Sequence, residues 1–134
     1  PDKTTMASNQ AVSPEIEAEV KIMRDMEKEI AQLQAKHQTL TSQLNENNMV
    51  KAEMDILDDS AKIYKMVGPV LVLQEFSAAK DNVAKRLEYI EKDVKRVDNL
   101  VATKTKNAQD LSAKIMGMQR ALQEKMQAQA AAMQ

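Results

Sequence analysis

The chain has 134 residues, a formal net charge of -1 and a hydrophobic fraction of 43%, which fits one domain of ordinary size. Only 2% of the residues are aromatic, and two glycines and three prolines supply few turns, which argues against a loop-rich globule or a β-sandwich. The balanced charge gives no basic excess for nucleic-acid binding, and no apolar run reaches the ~20 residues of a membrane span. The absence of cysteine excludes disulfides and thiol catalysis and fits the cytosol.

The residues that catalysis and cofactor binding need are also scarce. Gly68 is followed by Pro69 and Gly117 by Met118, so neither glycine can belong to the Gly-Lys pair of a phosphate-binding loop. His37 is the only histidine, which argues against a zinc site and a Ser-His-Asp triad. We therefore expect a protein that is not an enzyme and has no catalytic residue, metal site or cofactor.

The N-terminal part of the chain predicts a tail followed by a long helix. Residues 1–13 are polar and unpatterned, which we interpret as a flexible tail. Ser13, Pro14 and Glu15 make a helix start, because serine caps, proline suits the first turn and glutamate complements the helix dipole. Apolar residues then recur three or four apart without a glycine or proline, which predicts a helix over 14–58. The seam of this helix consists of Ile16, Val20, Met23, Met26, Ile30, Leu33, His37, Leu40, Leu44, Asn47, Val50, Met54 and Leu57.

The pattern changes after Asp58, Asp59 and Ser60, which are three poor helix residues in a row. Residues 61–74 are rich in β-branched and aromatic side chains around a Gly-Pro pair, which predicts a β-hairpin. Glycine at the first loop position suits a type II′ turn, although the proline leaves the turn type open.

This hairpin is predicted to be apolar on both faces, and a lone two-stranded hairpin is marginal in water. Other hairpins that close with it into a shared sheet or barrel would bury both its faces and its edges. We therefore predict that its apolar residues form a subunit-assembly surface, which comprises Ile63, Tyr64, Met66, Val67, Val70, Leu71, Val72 and Leu73.

A second helix is predicted over 77–122, with Ser77 as its cap. Its seam alternates steps of four and three without a slip, which is the pattern of a left-handed coiled coil. The apolar pattern stops after Leu122, so residues 123–134 are predicted to form a distal tail. The seam consists of Val83, Leu87, Ile90, Val94, Val97, Val101, Lys104, Ala108, Leu111, Ile115, Met118 and Leu122.

Three polar residues interrupt the two seams. We interpret His37 and Asn47 as structural residues. His37 would either set the register of the two helices or extend its side chain outwards to solvent. Antiparallel folding would bring together residues whose numbers add to about 136. This pairing places Lys104 beside Glu29 and Gln32, as a solvated or salt-bridged position.

Three stretches carry a family resemblance. Residues 43–53 contain the run Glu-Asn-Asn, residues 64–72 contain Val-Gly-Pro-Val-Leu-Val, and residues 84–90 read Ala-Lys-Arg-Leu-Glu-Tyr-Ile and are followed by Lys95 and Arg96. These stretches resemble the β class of prefoldin subunits over about residues 40–100. The resemblance implies an all-α-dominated fold with a small β-hairpin. It consists of a long antiparallel two-helix coiled coil, joined by one hairpin that contributes to a β-barrel shared between subunits.

The same resemblance implies the function of a cytoplasmic co-chaperone, with the nucleus as an additional location. Two α-class and four β-class subunits would form a hetero-hexamer whose coiled-coil tips hold unfolded or nascent proteins, of the actin and tubulin type, without ATP. The clients would then pass to the cytosolic group II chaperonin; no direct nucleic-acid or membrane partner is implied.

The client contacts are expected among apolar residues near the ends of the two helices, where flexible methionine suits varied partners. These candidates are Ile16, Val20, Met23, Met118, Leu122, Met126 and Met133. For the methionines of the seam, filling gaps at a slipping seam is the alternative. For Met126 and Met133, simple disorder is the alternative.

A coiled-coil tether or assembly adaptor without client-holding activity is the competing function. A tether needs only a short polar turn between its helices, so the apolar hairpin favours the chaperone subunit. Nucleic-acid association is a third hypothesis, which the pI of about 5.9 and the lack of a basic stripe oppose.

Overall fold

A computed structural model describes residues 13–133 of the chain, so the predicted tail lies outside the described residues except for Ser13. The chain forms two helices with a β-hairpin between them, which confirms the predicted fold class. The elements are α1 over Pro14–Asp55, β1 over Ile63–Val67, β2 over Val70–Gln74 and α2 over Phe76–Ala132. Within residues 13–133, neither helix is long and apolar enough to cross a membrane.

Helix α1 begins as its sequence predicts and ends earlier than expected. The Ser13 hydroxyl accepts a hydrogen bond from the Ile16 backbone N–H at 3.2 Å, and Pro14 is the first helical residue. The helix ends at Asp55, whereas the sequence predicted an end at Asp58.

The early end follows from local hydrogen bonds of the connection to β1. The Asp58 carboxylate accepts hydrogen bonds from the backbone N–H and the hydroxyl of Ser60, which replace the bonds of another helical turn. These bonds, chiefly the one from the hydroxyl, hold the pKa of Asp58 below its usual value. The chain therefore turns towards β1 at this point.

The hairpin has the predicted antiparallel strands and a two-residue turn. The strands pair from Ile63 with Gln74 to Val67 with Val70. Gly68 has a φ of +58°, whereas Pro69 does not have a positive φ. A type I′ turn needs positive φ at both loop residues, so these signs fit a type II′ turn and settle the turn type that the sequence left open.

Helix α2 starts before the predicted cap and continues beyond the predicted seam. The prediction that Ser77 caps the helix is wrong, because the helix has already begun at Phe76. Glu75 precedes it: the Glu75 carbonyl accepts a bond from the Ala79 N–H at 3.0 Å, and its carboxylate accepts one from the Ser77 hydroxyl at 3.2 Å. Residues 123–132 remain helical, since alanine, glutamine, glutamate and lysine are strong helix formers.

The described chain divides into two compact units. The hairpin unit comprises residues 34–99, and the terminal unit comprises the described parts of 1–33 and 100–134. Each unit has its own core between α1 and α2. The hairpin unit buries Leu40, Met54, Phe76, Ala79, Leu87, Ile90 and Val97. The terminal unit buries Ile16, Ala108, Leu111 and Ile115.

Most predicted seam positions are buried or half-buried, which confirms that the two seams face each other within each unit. The exceptions are Val50 and Leu57, whose side chains are exposed. Leu57 lies beyond the end of α1, so the helical repeat no longer determines its direction.

Polar side-chain pairs join the two helices in antiparallel order. In the hairpin unit, His37 Nε2 lies 2.9 Å from Asp98 Oδ1. In the terminal unit, Lys104 Nζ lies 2.6 Å from Glu29 Oε2, which confirms the predicted neighbour of this lysine, and Lys114 pairs with Glu19. All of these side chains are partly exposed, so each pair contributes at most about 1 kcal/mol and mainly fixes the register.

The adjacent residues Tyr89 and Ile90 of α2 test which face is the core. Ile90 is buried and Tyr89 is 71% exposed. We expect Ile90→Ala to lower the free energy of unfolding by about 2–5 kcal/mol, because it leaves a cavity in the core of the hairpin unit. The matched change Tyr89→Ala should alter it by no more than about 0.5 kcal/mol. Urea unfolding followed by circular dichroism measures both, and equal losses would contradict the core described above.

Candidate assembly surface

The hairpin carries a continuous apolar surface that its own chain leaves open. Seven of its eight predicted assembly residues expose between 46% and 72% of their surface, and the eighth, Ile63, is half-buried. The exposed seven are Tyr64, Met66, Val67, Val70, Leu71, Val72 and Leu73. The structure therefore brings together on one small sheet all the residues that the sequence proposed for assembly.

The strand register divides these side chains between the two faces of the sheet. Tyr64 pairs with Leu73 and Met66 with Leu71, so these four residues share one face. The opposite face carries Val67 paired with Val70, Val72 paired with Lys65, and Ile63 paired with Gln74. Both faces are thus apolar, and within residues 13–133 every apolar side chain on them except the half-buried Ile63 is exposed.

Such a surface is costly in a free monomer. Burying one large aliphatic or aromatic side chain stabilises a protein by about 1.5–3 kcal/mol. The outward backbone groups of two adjoining edge strands also lack sheet partners within the described chain. An apolar, two-edged sheet of this kind is typical of a surface that other strands complete.

The candidate client-binding residues of the terminal unit fall into two groups. Ile16 is only 2% exposed, and it lies in the core with Leu111 and Ile115. Around this core pack four further candidates, which are half-buried: Val20, Met23, Met118 and Leu122. Met126 and Met133 are 52% and 89% exposed. A client could reach these last two directly, whereas contact with Ile16 would require the core to open.

Two exposed apolar residues of the terminal unit were missed by the sequence analysis as site residues. Ile22 and Met116 expose 46% and 58% of their surface. Each residue lies next to a seam position. A large apolar side chain at a position that should face solvent is the sequence signal that could have identified them. Ile22 also borders an open groove of about 250 Å³ beside Lys104, which is lined by Ile22, Asp25, Met26, Glu29, Lys104 and Asn107.

The polar seam residues have structural partners. The Asn47 side-chain amide donates a hydrogen bond to the Gln43 carbonyl one turn earlier, at 2.7 Å. His37 and Lys104 reach outwards to carboxylates of the facing helix. In residues 13–133, no group of three or more His, Cys, Asp or Glu side chains stands close enough together to hold a metal ion. The hairpin remains the most prominent candidate site.

Comparison with known proteins agrees with this geometry. A protein-family model described as a prefoldin subunit matches residues 17–129. The chain belongs to the prefoldin family. The chain is 38% identical over 116 residues to a probable prefoldin subunit 6 of Caenorhabditis elegans, an alignment that covers 87% of this chain and 90% of the relative. It is 40% identical over 103 residues to prefoldin subunit 6 of Arabidopsis thaliana, with 77% of each chain covered.

A solved structure shows the same fold. The prefoldin beta subunit from Thermococcus strain KS-1 superposes with a TM-score of 0.74, covering 81% of this chain and 96% of that chain at 19% sequence identity. The resemblance to prefoldin subunits is therefore confirmed: the solved structure shows the fold of a prefoldin beta subunit, and the two relatives are named as prefoldin subunit 6.

Two negative charges on one face of the sheet are expected to prevent assembly with other subunits while leaving the fold of the chain intact. We expect Val70→Asp together with Val72→Asp to abolish co-purification with other prefoldin subunits, because carboxylates buried between strands lack compensating partners. Helix content, measured by circular dichroism, should change little, since Val70 and Val72 are exposed and lie outside both helices. The matched control, Gln38→Asp with Ser42→Asp on exposed positions of α1, should co-purify normally. Normal co-purification of the hairpin variant would contradict an assembly role for this sheet.

Proposed function

We propose that this prefoldin subunit joins α-class and other β-class subunits in a hetero-hexamer, where the hairpins close into a shared β-barrel. The apolar surface on both faces of the hairpin is the observation that carries this proposal. A barrel buries one face of each hairpin and pairs both of its edges, which removes most of the cost of the exposed sheet.

The hexamer holds unfolded or nascent proteins, of the actin and tubulin type, at the terminal units of its subunits. In this chain the exposed apolar side chains of that unit support such a role: Ile22, Met116, Met126 and Met133. Unfolded clients present scattered apolar groups of no fixed shape, and methionine adapts to such partners because its side chain is flexible and polarisable.

Each contact of this kind is weak, so several subunits must engage one client together. Linked weak sites reach a high combined affinity, because binding at one site raises the effective concentration at the next. Release then needs only the loss of a few contacts, which suits transfer of the client to the cytosolic group II chaperonin. The proposed location is accordingly the cytoplasm, with the nucleus as a second compartment.

A tether without client-holding activity remains the competing function, and removing residues 123–134 distinguishes the two. This change deletes Met126 and Met133 but leaves the buried cores and the hairpin in place. We expect hexamers with the shortened chain to assemble normally and to suppress aggregation of a denatured client less well. The loss should be partial, since the other subunits keep their own contacts.

A second variant separates apolar contact from helix length. Met126→Gln with Met133→Gln keeps the full chain and removes only the two exposed apolar groups, and should show most of the same loss. Gln127→Ala with Gln129→Ala, at exposed neighbouring positions, is the control. Unchanged protection by both test variants, at matched hexamer concentration in light-scattering assays, would favour the tether.

Client capture by the hexamer is expected to be independent of ATP. The sequence offers no Gly-Lys phosphate-binding loop, and holding by apolar contact requires no energy input. Aggregation suppression should be equal with and without ATP in the assay. ATP hydrolysis that follows the purified chain and disappears on substitution of its residues would contradict this expectation.

A further inference from the structure

The end of α1 and the residue that follows it carry a second apolar surface, separate from the seam. Met49 and Ile56 are 65% and 84% exposed, and Ala52 between them is exposed too. We call these three residues the outer patch. Met49 lies five positions from the buried Met54, which corresponds to about 140° around the helix. Met49 therefore faces away from α2, whereas Ile56 is the first residue after α1 and is highly exposed.

This patch is local to the hairpin end of the helix. At earlier positions of the same seven-residue spacing the chain has exposed residues that are charged, small or polar: Lys21, Lys28, Ala35 and Ser42. Large apolar side chains take over only at Met49 and Ile56. A solvated helix face is normally polar, so the change in character marks a contact surface.

Barrel closure alone leaves part of the hairpin uncovered. Whichever face of the sheet lines the barrel, the opposite face points outwards and is also apolar. This chain's own α1 leaves most of it uncovered, because Met49, Ile56 and seven of the eight apolar sheet side chains remain exposed. The outward face therefore needs an apolar surface from another subunit, and the outer patch is an uncovered apolar helix surface beside the hairpin.

We infer that the outer patch packs against the outward sheet face of a neighbouring subunit's hairpin, an inference that rests on the proposed hetero-hexamer. Glu46 and Glu53 lie three positions before and four positions after Met49, so they flank the patch on the same side of the helix. Neither residue takes part in an ion pair within residues 13–133. The expected partner surface is thus an apolar strand face that also carries a basic side chain. This chain's own hairpin shows such a combination, with Lys65 between Ile63 and Val67 on one face.

Photo-crosslinking in the assembled complex tests the contact directly. A benzoylphenylalanine is placed at position 49, 56 or 42 of the full chain, and each variant is assembled with α-class and β-class prefoldin subunits. Positions 49 and 56 should crosslink to hairpin peptides of another subunit, identified by mass spectrometry. Position 42, on the same helix face but outside the patch, should give no such product.

A variant with two added negative charges measures how much the contact contributes to the stability of the hexamer. Met49→Glu with Ile56→Glu should raise the concentration at which the hexamer dissociates on dilution by about tenfold or more. The matched control, Ala35→Glu with Ser42→Glu, should leave it unchanged. Intact hexamers without crosslinks from positions 49 and 56, or with unchanged dissociation, overturn this inference alone. Failure of the unaltered chain to enter any hexamer overturns the proposed function and the inference with it.

Discussion

The constraint on which the rest of the structure depends is a β-hairpin that is apolar on both faces and, within residues 13–133, has no further strand paired to its edges. A helix can hide one apolar stripe against a single partner, as α1 and α2 do within each unit. A two-stranded sheet with two apolar faces cannot be satisfied in this way, since the seams of both helices are already used. The two helices therefore pack their apolar seams against each other in a narrow coiled-coil core. The apolar side chains of the hairpin remain exposed for contact with other subunits.

This division explains why the polar seam residues are tolerated. A narrow seam gives only modest specificity of register, and polar pairs such as those of His37 with Asp98 and Lys104 with Glu29 favour one alignment over its neighbours. Their partly exposed position keeps the cost of desolvation low. Met116, Met126 and Met133 remain exposed in the terminal unit, and under the proposed function they supply weak, adaptable contacts to unfolded proteins.

The fold could be predicted from periodicity, because a step of three or four residues and an alternating apolar run leave little choice of secondary structure. The ends of the elements could not, since they depend on single hydrogen bonds. The Asp58 carboxylate accepts hydrogen bonds from Ser60 in the connection that follows the early end of α1 at Asp55. Helix α2 begins at Phe76, directly after Glu75, whereas the sequence predicted a start at Ser77. The hairpin could be predicted because apolar residues occupy both alternating sets of positions along its strands, and the assembly role of these residues stays a prediction. Ile22 and Met116 were missed as site residues because the periodicity selects seam positions, and each of these residues lies next to a seam position. Ile16 is a seam position of α1, so its burial with Leu111 and Ile115 follows from the same periodicity.

Hydrogen exchange at the backbone amides of Ile63–Val67 and Val70–Gln74 tests the central claim most directly. The measurement compares the free chain with the chain in a hetero-hexamer whose composition is checked by native mass spectrometry. Amides that point outwards from the two strands should exchange rapidly in the free chain and slow by orders of magnitude in the hexamer, because strands of neighbouring subunits pair with them. Equal exchange of these amides in both states would contradict a shared sheet.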